Sequence, residues 1–404
     1  MSHKVEQTGN HTAGTGILVL NAGSSSLKFA VFDIDAGELK RKCHGQAEGI
    51  GTQPQFSIGG RHHDAASIGA ACKDHAGALQ YILAALAVEE INAGTFAGVG
   101  HRIVHGGPTF THPIRLEASN LAALDDLRAL APLHNTFGLE AVHAMLNLAP
   151  DIPQIACFDT AFHATQPDVA KRFALPVAYH EAGYRRYGFH GINYQHVIAE
   201  LPKISGIPLP RRVLVFHLGN GSSICAIKDG LSVATTMGYS TLDGLVMGTR
   251  SGSIDPGVLI ALMRDKSMSI TELETLLYRK SGLLGLSGAS SDMRMLLEST
   301  EPASQQAVQH FCYWAARHAA SLLPAMGGLD AIVFTGGIGA NAARVRASII
   351  AQLAWLGLAL EEHANEHNEP LISARSSVAP IWIILADEER AIARHTYDLL
   401  RTVA

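Results

Sequence analysis

Arg102 and Arg250 each stand among glycines, in GHRIVHGG (100–107) and MGTRSGSIDPG (247–257). Planar guanidinium forks in such Gly-flanked loops could grip a carboxylate and a phosphoryl group. His134 precedes Asn135 and His190 precedes Gly191, while Asp159 follows the apolar run IACF and Glu388 follows IWIIL. Phosphoryl transfer asks mainly for positioning and for neutralisation of the transferring group. One carboxylate could orient the reacting groups through water. The other could hold Mg2+, which takes oxygen ligands and keeps several waters. Each residue also has a plainer reading: the arginines as interdomain ion-pair partners, Asp159 as a cap for the segment that follows it.

Such groups need a place to hold phosphate, and three glycine-rich turns offer one. NAGSSSLKF (21–29) puts Asn21, Gly23, Ser24, Ser25, Ser26 and Lys28 on a tight turn between two apolar runs. A solvent hairpin needs only a pair such as Asn-Gly. This turn adds hydroxyls, a backbone open to close approach and a cation; the alternative is a polar hairpin turn. RVLVFHLGNGSSICAIKDG (212–230) repeats the grammar half a chain later: placing Gly23 on Gly221 puts Ser24 on Ser222 and Ser25 on Ser223. Two such hairpins at the start of duplicated halves, facing across a cleft, would suit a nucleotide. The third, DAIVFTGGIGANAARVRASII (330–350), runs from a strand through Gly336, Gly337 and Gly339 into a helix. Its GxGxxA string is weak evidence for a dinucleotide site. It reads better as a flat backbone surface for a base or ribose. No GxxxxGK[ST] string occurs, which disfavours a P-loop fold.

The elements that must position these turns alternate between strand and helix. ILVL (17–20) and LKFAVF (27–32) predict a hairpin, and 76–89 has helical spacing. Residues 96–107 read as a short buried strand entering a Gly turn. Residues 118–135 read as an amphipathic helix opened by an N-cap signal, and 138–150 as a helix ended by Pro150. Residues 152–163 read as a strand whose end carries polar residues. The alternation predicts α/β layers, and 404 residues predict two domains.

Composition narrows the class. Apolar residues make up 47% and charged residues 17%, as in a globular chain with large cores. A net charge of −5 gives no basic field for nucleic acid. The five cysteines form no CxxC pair, which points to a reducing cytoplasm rather than a disulfide framework. The polar N-terminus has no apolar core of a signal peptide and reads as a flexible tail over 1–14. No apolar run reaches the ~20 residues of a membrane span.

The ordered motifs NAGSSSLKF, GHRIVHGG, PLHN (132–135), FDTAFH (158–163), RRYGFHG (185–191), HLGNGSS (217–223), MGTRSGSIDPG, SGLLGLSGASSDMR (281–294), FTGGIGAN (334–341) and DEERAIA (387–393) resemble those of the acetokinase family. These short-chain carboxylate kinases include acetate, propionate and butyrate kinases. The resemblance runs from Gly16 to about Thr396. It implies a two-domain actin-like, ribonuclease-H-like ATPase fold with duplicated half-domains around a nucleotide cleft. The domains would be 15–160 plus 389–404 and 161–388, with the last helix crossing back to the first. It implies reversible, in-line phosphorylation of acetate by ATP, with Mg2+ (Mn2+ as the alternative), in a homodimer joined through the second domain. The apolar helix region 304–325 is consistent with that dimer and equally with an ordinary core helix.

Residue by residue, the resemblance assigns Asn21 and Glu388 to the metal. It assigns Ser24, Ser26 and Lys28 to the first phosphate loop, and His217, Leu218, Gly219, Asn220 and Gly221 to the second. Arg102 and Arg250 match substrate- and transition-state-binding arginines, with His190 beside them, Asp159 the catalytic aspartate and His134 a supporting histidine. Asp292, Met293, Arg294, Gly336, Gly337, Ile338, Gly339, Ala340 and Asn341 fall where the family holds the nucleotide. Val104, Leu133 and Phe189 match the apolar wall around the substrate methyl group. Two positions depart from the pattern: Thr241 stands where the family often has Pro, and Ala340 where it has Glu. A carboxylic acid with a pKa of about 4 is already ionised at neutral pH, so its kinase needs cations more than a general base. The competing readings are a propionate or butyrate kinase and, in another class, an actin-like ATPase driving a protein partner.

Overall fold

The computed structural model describes residues 14–63, 68, 72–129 and 135–402. The chain divides into two compact units. One takes the chain up to Ile103, Pro113–Cys157 and the chain from Ile392; the other takes Val104–His112 and Phe158–Ala391.

The first unit is built on a sheet whose strands among the described residues are β1 (Gly16–Gly23), β2 (Ser26–Asp35), β3 (Glu38–Glu48), β4 (Gln55–Ile58), β5 (Arg61–His62), β6 (Phe96–Ile103), β7 (Ile114–Arg115) and β8 (Gln154–Phe158). They lie in the order β5-β4-β3-β2-β1-β6-β8-β7. The run ILVL of β1 is buried on both faces, which is why it reads as continuous rather than alternating. Leu18 and Leu20 meet Leu79, Ile82 and Leu86 of the helix His75–Val88 and Ala141 and Met145 of the helix Asn135–Leu148. On β6, Gly98 and Gly100 leave room for the C-terminal helix Glu388–Thr402. A Cβ on Gly100 would stand 2.4 Å from Thr396 Oγ1 and 2.6 Å from Ile392 Cγ2.

The second unit's sheet has the strands β9 (Arg212–Leu218), β10 (Ser222–Lys228), β11 (Leu231–Thr235), β12 (Ala331–Thr335) and β13 (Ile381–Ile383), in the order β11-β10-β9-β12-β13. Period-two alternation sorts its side chains. Leu214, Phe216, Leu218, Ile332 and Phe334 pack under the helix Pro302–Met326, against Phe311, Ala315 and Ala319. Val213, Val215, Ala331 and Val333 face the other way, against Tyr194, Val197 and Leu201 of the helix Gly191–Ser205. A sheet with helices on both faces is the α/β layering expected from the sequence.

Three expected elements change. The helix expected over 118–135 ends at Asp126 and passes into a single 3-10 turn, Leu127–Ala129. The strand expected over 152–163 is β8 alone; Ala161–Thr165 is another 3-10 turn. Arg102 is in no loop: it is the penultimate residue of β6, where strand pairing rather than glycine freedom sets its backbone. Among the expected features outside the described residues are the N-terminal tail through residue 13, Leu133 and His134.

Candidate active site

In the first unit the turn is short. Gly23 pairs with Ser26 across β1 and β2, so Ser24 and Ser25 alone make the bend. Both are exposed, and exposed Lys28 pairs in register with Asn21. Asn21 Oδ1 accepts from Arg102 NH1 at 3.2 Å, which brings one metal candidate and one arginine candidate together. The sequence did not single out His75. This imidazole is 4% exposed, and its Nε2 lies 2.7 Å from Gly23 O. A carbonyl only accepts, so Nε2 carries the proton and pins the turn. Nδ1 faces Glu140 Oε2 at 3.5 Å. A lone histidine opening a helix carries no sequence signal for that job.

In the second unit the equivalent turn is longer by one residue. Leu218 pairs with Ser222, leaving Gly219, Asn220 and Gly221 as the bend. This corrects the overlay of Gly23 on Gly221. Ser24 and Ser25 form a turn, whereas Ser222 and Ser223 lie inside β10 and are fully buried. The two hairpins correspond as hairpins, with Ser26 and Ser222 at matching closing pairs, and the shared G-S-S letters are out of step.

Around Gly221 the candidate side chains converge. A Cβ there would meet His190 Nε2 at 3.3 Å and Arg250 NH1 at 3.9 Å. His190 has φ +59° at the N-cap of the helix Gly191–Ser205, an uncommon backbone for a non-glycine residue. Gly191 N donates to Asp159 O at 2.9 Å, fixing that entry. A Cβ on Gly191 would lie 2.2 Å from the same oxygen. Asp159 is therefore adjacent in fold to His190, and it is 1% exposed just beyond β8. The His190 ring stacks on His217 at 4.1 Å and 16°. Arg250 NH1 donates to Thr241 O at 3.2 Å. Gly248 N donates to Asn220 O at 3.1 Å, tying the arginine's loop to the turn.

Beside this cluster sits a small apolar group: Val104, Phe189, Met237 and Met247, each 9% exposed or less. The two methionines were not read from the sequence, because a lone Met in a loop has no spacing that marks it. Thr241 is 7% exposed nearby in sequence to Met237. His105 packs at 4.4 Å from the Tyr187 ring and 5.5 Å from Phe189. Burial pushes its pKa down to about 4, so it stays a neutral part of the packing at physiological pH.

The glycine element after β12 lies against the same turn. Gly337 N would be 4.0 Å from a Cβ on Gly219. Gly336 has φ +78° with Leu218 O 2.6 Å from its would-be Cβ, so only glycine fits. Gly336–Asn341 is itself a short helix, Ile338 packs against the core, and Asn341 Nδ2 donates to Gly337 O at 2.9 Å. Leu218, Met293 and Ala340 have their side chains in the core, which leaves them backbone groups to offer. The Ala340 departure is thus a buried methyl group. Asp292 caps the helix Met293–Glu298 and pairs with exposed Arg294 at 2.7 Å. Glu388 is the half-buried first residue of the C-terminal helix.

The acetokinase family model matches residues 16–394. An acetate kinase of Nitrobacter hamburgensis is 44% identical over 394 residues, covering 95% of this chain and 96% of that one. An acetate kinase of Rhodopseudomonas palustris is 44% identical over 392 residues, covering 95% and 98%. Among solved structures, a propionate kinase from Francisella tularensis superposes with a TM-score of 0.88 at 36% identity, covering 95% of this chain and 99% of that one. The Porphyromonas gingivalis acetate kinase gives 0.85 at 33%, covering 96% and 100%. The chain belongs to the acetokinase family.

Proposed function

We propose that this enzyme transfers the γ-phosphoryl group of ATP reversibly to acetate, forming acetyl phosphate and ADP. The observation that carries the reading is the meeting of His190 Nε2 and Arg250 NH1 over Gly221, next to a small apolar group. Two anions must be brought together and the transferring group's charge must be spread, which cationic and N–H donors do best where water is excluded. Arg250 and His190 are assigned to the phosphoryl group, Arg102 to the substrate carboxylate, and Asp159 to orienting the reacting groups. Val104, Phe189 and Thr241, with Met237 and Met247, are assigned to the methyl group. The turns Ser24–Lys28 and His217–Gly221 are assigned to phosphates, and Asp292–Arg294 with Gly336–Asn341 to the adenosine.

Magnesium fits the donors. Asn21 offers an amide oxygen whose present partner is Arg102, and Glu388 offers a carboxylate. Among the described residues no group of three or more His, Cys, Asp and Glu side chains could hold a metal. Mg2+ is commonly held by phosphates, waters and one or two protein oxygens rather than by a protein cage. Such an ion would neutralise phosphate charge. A cytoplasmic location is proposed on cysteine usage, five unbridged thiols of which four are buried. Among the described residues no helix is long and apolar enough to cross a membrane.

A homodimer is proposed through the second unit, and the surface supports one face. The helix Pro302–Met326 has its apolar side committed to its own core. The helix Pro256–Asp265, PGVLIALMRD, has no buried residue at all.

Hydroxylamine trapping of the acyl phosphate tests the activity. Acetate, ATP and Mg2+ should yield hydroxamate, and Arg250→Ala should lower kcat by about 10²–10³, the worth of one transition-state donor. Running propionate and butyrate alongside ranks the acids. Absence of hydroxamate with every C2 to C4 acid would end the proposal.

A further inference from the structure

Behind the His190 ring lies a buried chain of hydroxyls. His190 Nδ1 is 2.8 Å from Ser223 Oγ, and Ser223 Oγ is 2.5 Å from Tyr194 OH. Ser223 and Tyr194 are both fully buried, on β10 and on the helix Gly191–Ser205. The direction of the chain follows from counting protons. Burial holds the Tyr194 phenol well above its usual pKa, so the oxygen keeps its hydrogen. Around it also lie the rings of Phe162 at 6.3 Å, His163 at 5.6 Å and His217 at 6.5 Å and the Cys225 thiol. Ser223 Oγ is the hydrogen-bond partner it has. A buried O–H left without an acceptor costs about 1–3 kcal/mol, so Tyr194 donates to Ser223. A serine hydroxyl has one hydrogen. Accepting from His190 Nδ1–H as well as from Tyr194 would leave that buried hydrogen without an acceptor, so Ser223 directs it at His190 Nδ1.

We propose that Tyr194 and Ser223 are positioning residues that hold His190 in one tautomer, with Nδ1 accepting and the proton on Nε2. Nε2 is the nitrogen that faces Gly221 and Arg250. The relay therefore presents an N–H donor, not a lone pair, where the phosphoryl oxygens would sit. The opposite direction, His190 Nδ1–H to Ser223 to Tyr194, would strand the tyrosine hydrogen and point a lone pair at the phosphoryl oxygens. His217 stacks on the ring, and the Arg250 guanidinium lies on the Nε2 side. The catalytic value of this tautomer rests on the proposed role of His190. The tautomer itself does not.

The test uses the full-length enzyme labelled with 15N-histidine, with His190 resonances assigned by their loss in His190→Asn. In the wild type, two-bond proton–nitrogen spectra should show Nε2 protonated and Nδ1 bare. Tyr194→Phe removes one buried oxygen and keeps the ring, so the fold should survive. The Ser223 hydroxyl is then free to accept as well as donate, and the Nδ1 signal should move toward a tautomer average. kcat should fall roughly three- to tenfold with KM for acetate and ATP little changed. Ser223→Ala should shift the Nδ1 signal further. A wild-type His190 protonated at Nδ1, or a tautomer unmoved by both substitutions, overturns the proposal. If the tautomer behaves as stated while His190→Asn keeps full turnover, the relay stands and the assignment of His190 to the reaction fails.

Discussion

Gly221 carries no side chain, and that vacancy is what lets His190 and Arg250 approach the same point. Its φ lies outside the left-handed region, unlike Gly336, so alanine is tolerated by the backbone. The added methyl would stand 3.3 Å from Nε2 and 3.9 Å from NH1, in the space the proposed function gives to a phosphoryl oxygen. Gly221→Ala should fold normally and lose at least tenfold in kcat, because displacing aligned donors by a fraction of an ångström costs rate more than stability. Steady-state kinetics beside a thermal melt decides it: an unchanged kcat means the space above Gly221 is not the reacting space. At this scale one of the two arginines read among glycines, Arg250, lies in a loop with its NH1 beside Gly221, while Arg102 lies in a strand. The sequence was silent where position depends on pairing. The G-S-S letters matched in both hairpins, yet one extra turn residue moves Ser222 and Ser223 from the bend into the strand. Ser223 thereby becomes a buried partner of His190, a role that no spacing rule announces.

Elements were legible where burial imposes a period. β9 and β12 sort odd and even residues onto two faces, and the sequence shows those runs as apolar strands. The helix ending at Asp126 was not legible, since ALDDLRAL keeps helical spacing beyond the point where the backbone tightens. Arg346 shows a constraint between elements. It is fully buried in the helix Ala343–Gln352, yet its partners are neutral: Asn365 Oδ1 at 2.8 Å, Gly339 O at 2.9 Å, Asn365 O at 2.6 Å and Asn368 Oδ1 at 2.6 Å. Burial lowers its pKa to about 10, still charged at neutral pH. The fork thus fastens the short Gly336–Asn341 helix to the segment around Asn365. Arg346→Met should destabilise the enzyme by about 2–4 kcal/mol. Several carbonyl oxygens lose their donors at ~1–3 kcal/mol each, partly offset by removing a buried cation. Arg346→Lys keeps the charge without the fork and should recover less than half. Denaturant midpoints with and without ADP measure both; equal stability of Met and wild type would show that the fork fastens nothing.

At the scale of the whole molecule, composition and alternation made the α/β class legible. What alternation cannot tell is which apolar helix is covered by its own chain and which is covered by another. The helix Pro302–Met326 buries Phe311, Ala315, Ala319 and Met326 internally. In contrast, Ile254, Val258, Ile260 and Met263 are 38–61% exposed and Ile270 is 74% exposed. Isolated surface apolar residues need no explanation, but a run of them along one helix and its flanks marks an interaction surface. In the proposed homodimer this face meets the same face of a second copy, so each substitution acts twice. Covering one isoleucine contributes about 1.5–3 kcal/mol. Ile260→Asp should then weaken the dimer by about 3–6 kcal/mol, raising its Kd by roughly two to four orders of magnitude. Sedimentation velocity at micromolar concentration should show wild type at twice the chain mass and Ile260→Asp largely at the chain mass. The same substitution in the long helix, Tyr313→Asp at a half-exposed position, should leave the mass unchanged. A dimer lost through Tyr313 and kept through Ile260 would move the interface to the helix Pro302–Met326, and a monomeric wild type would remove it altogether.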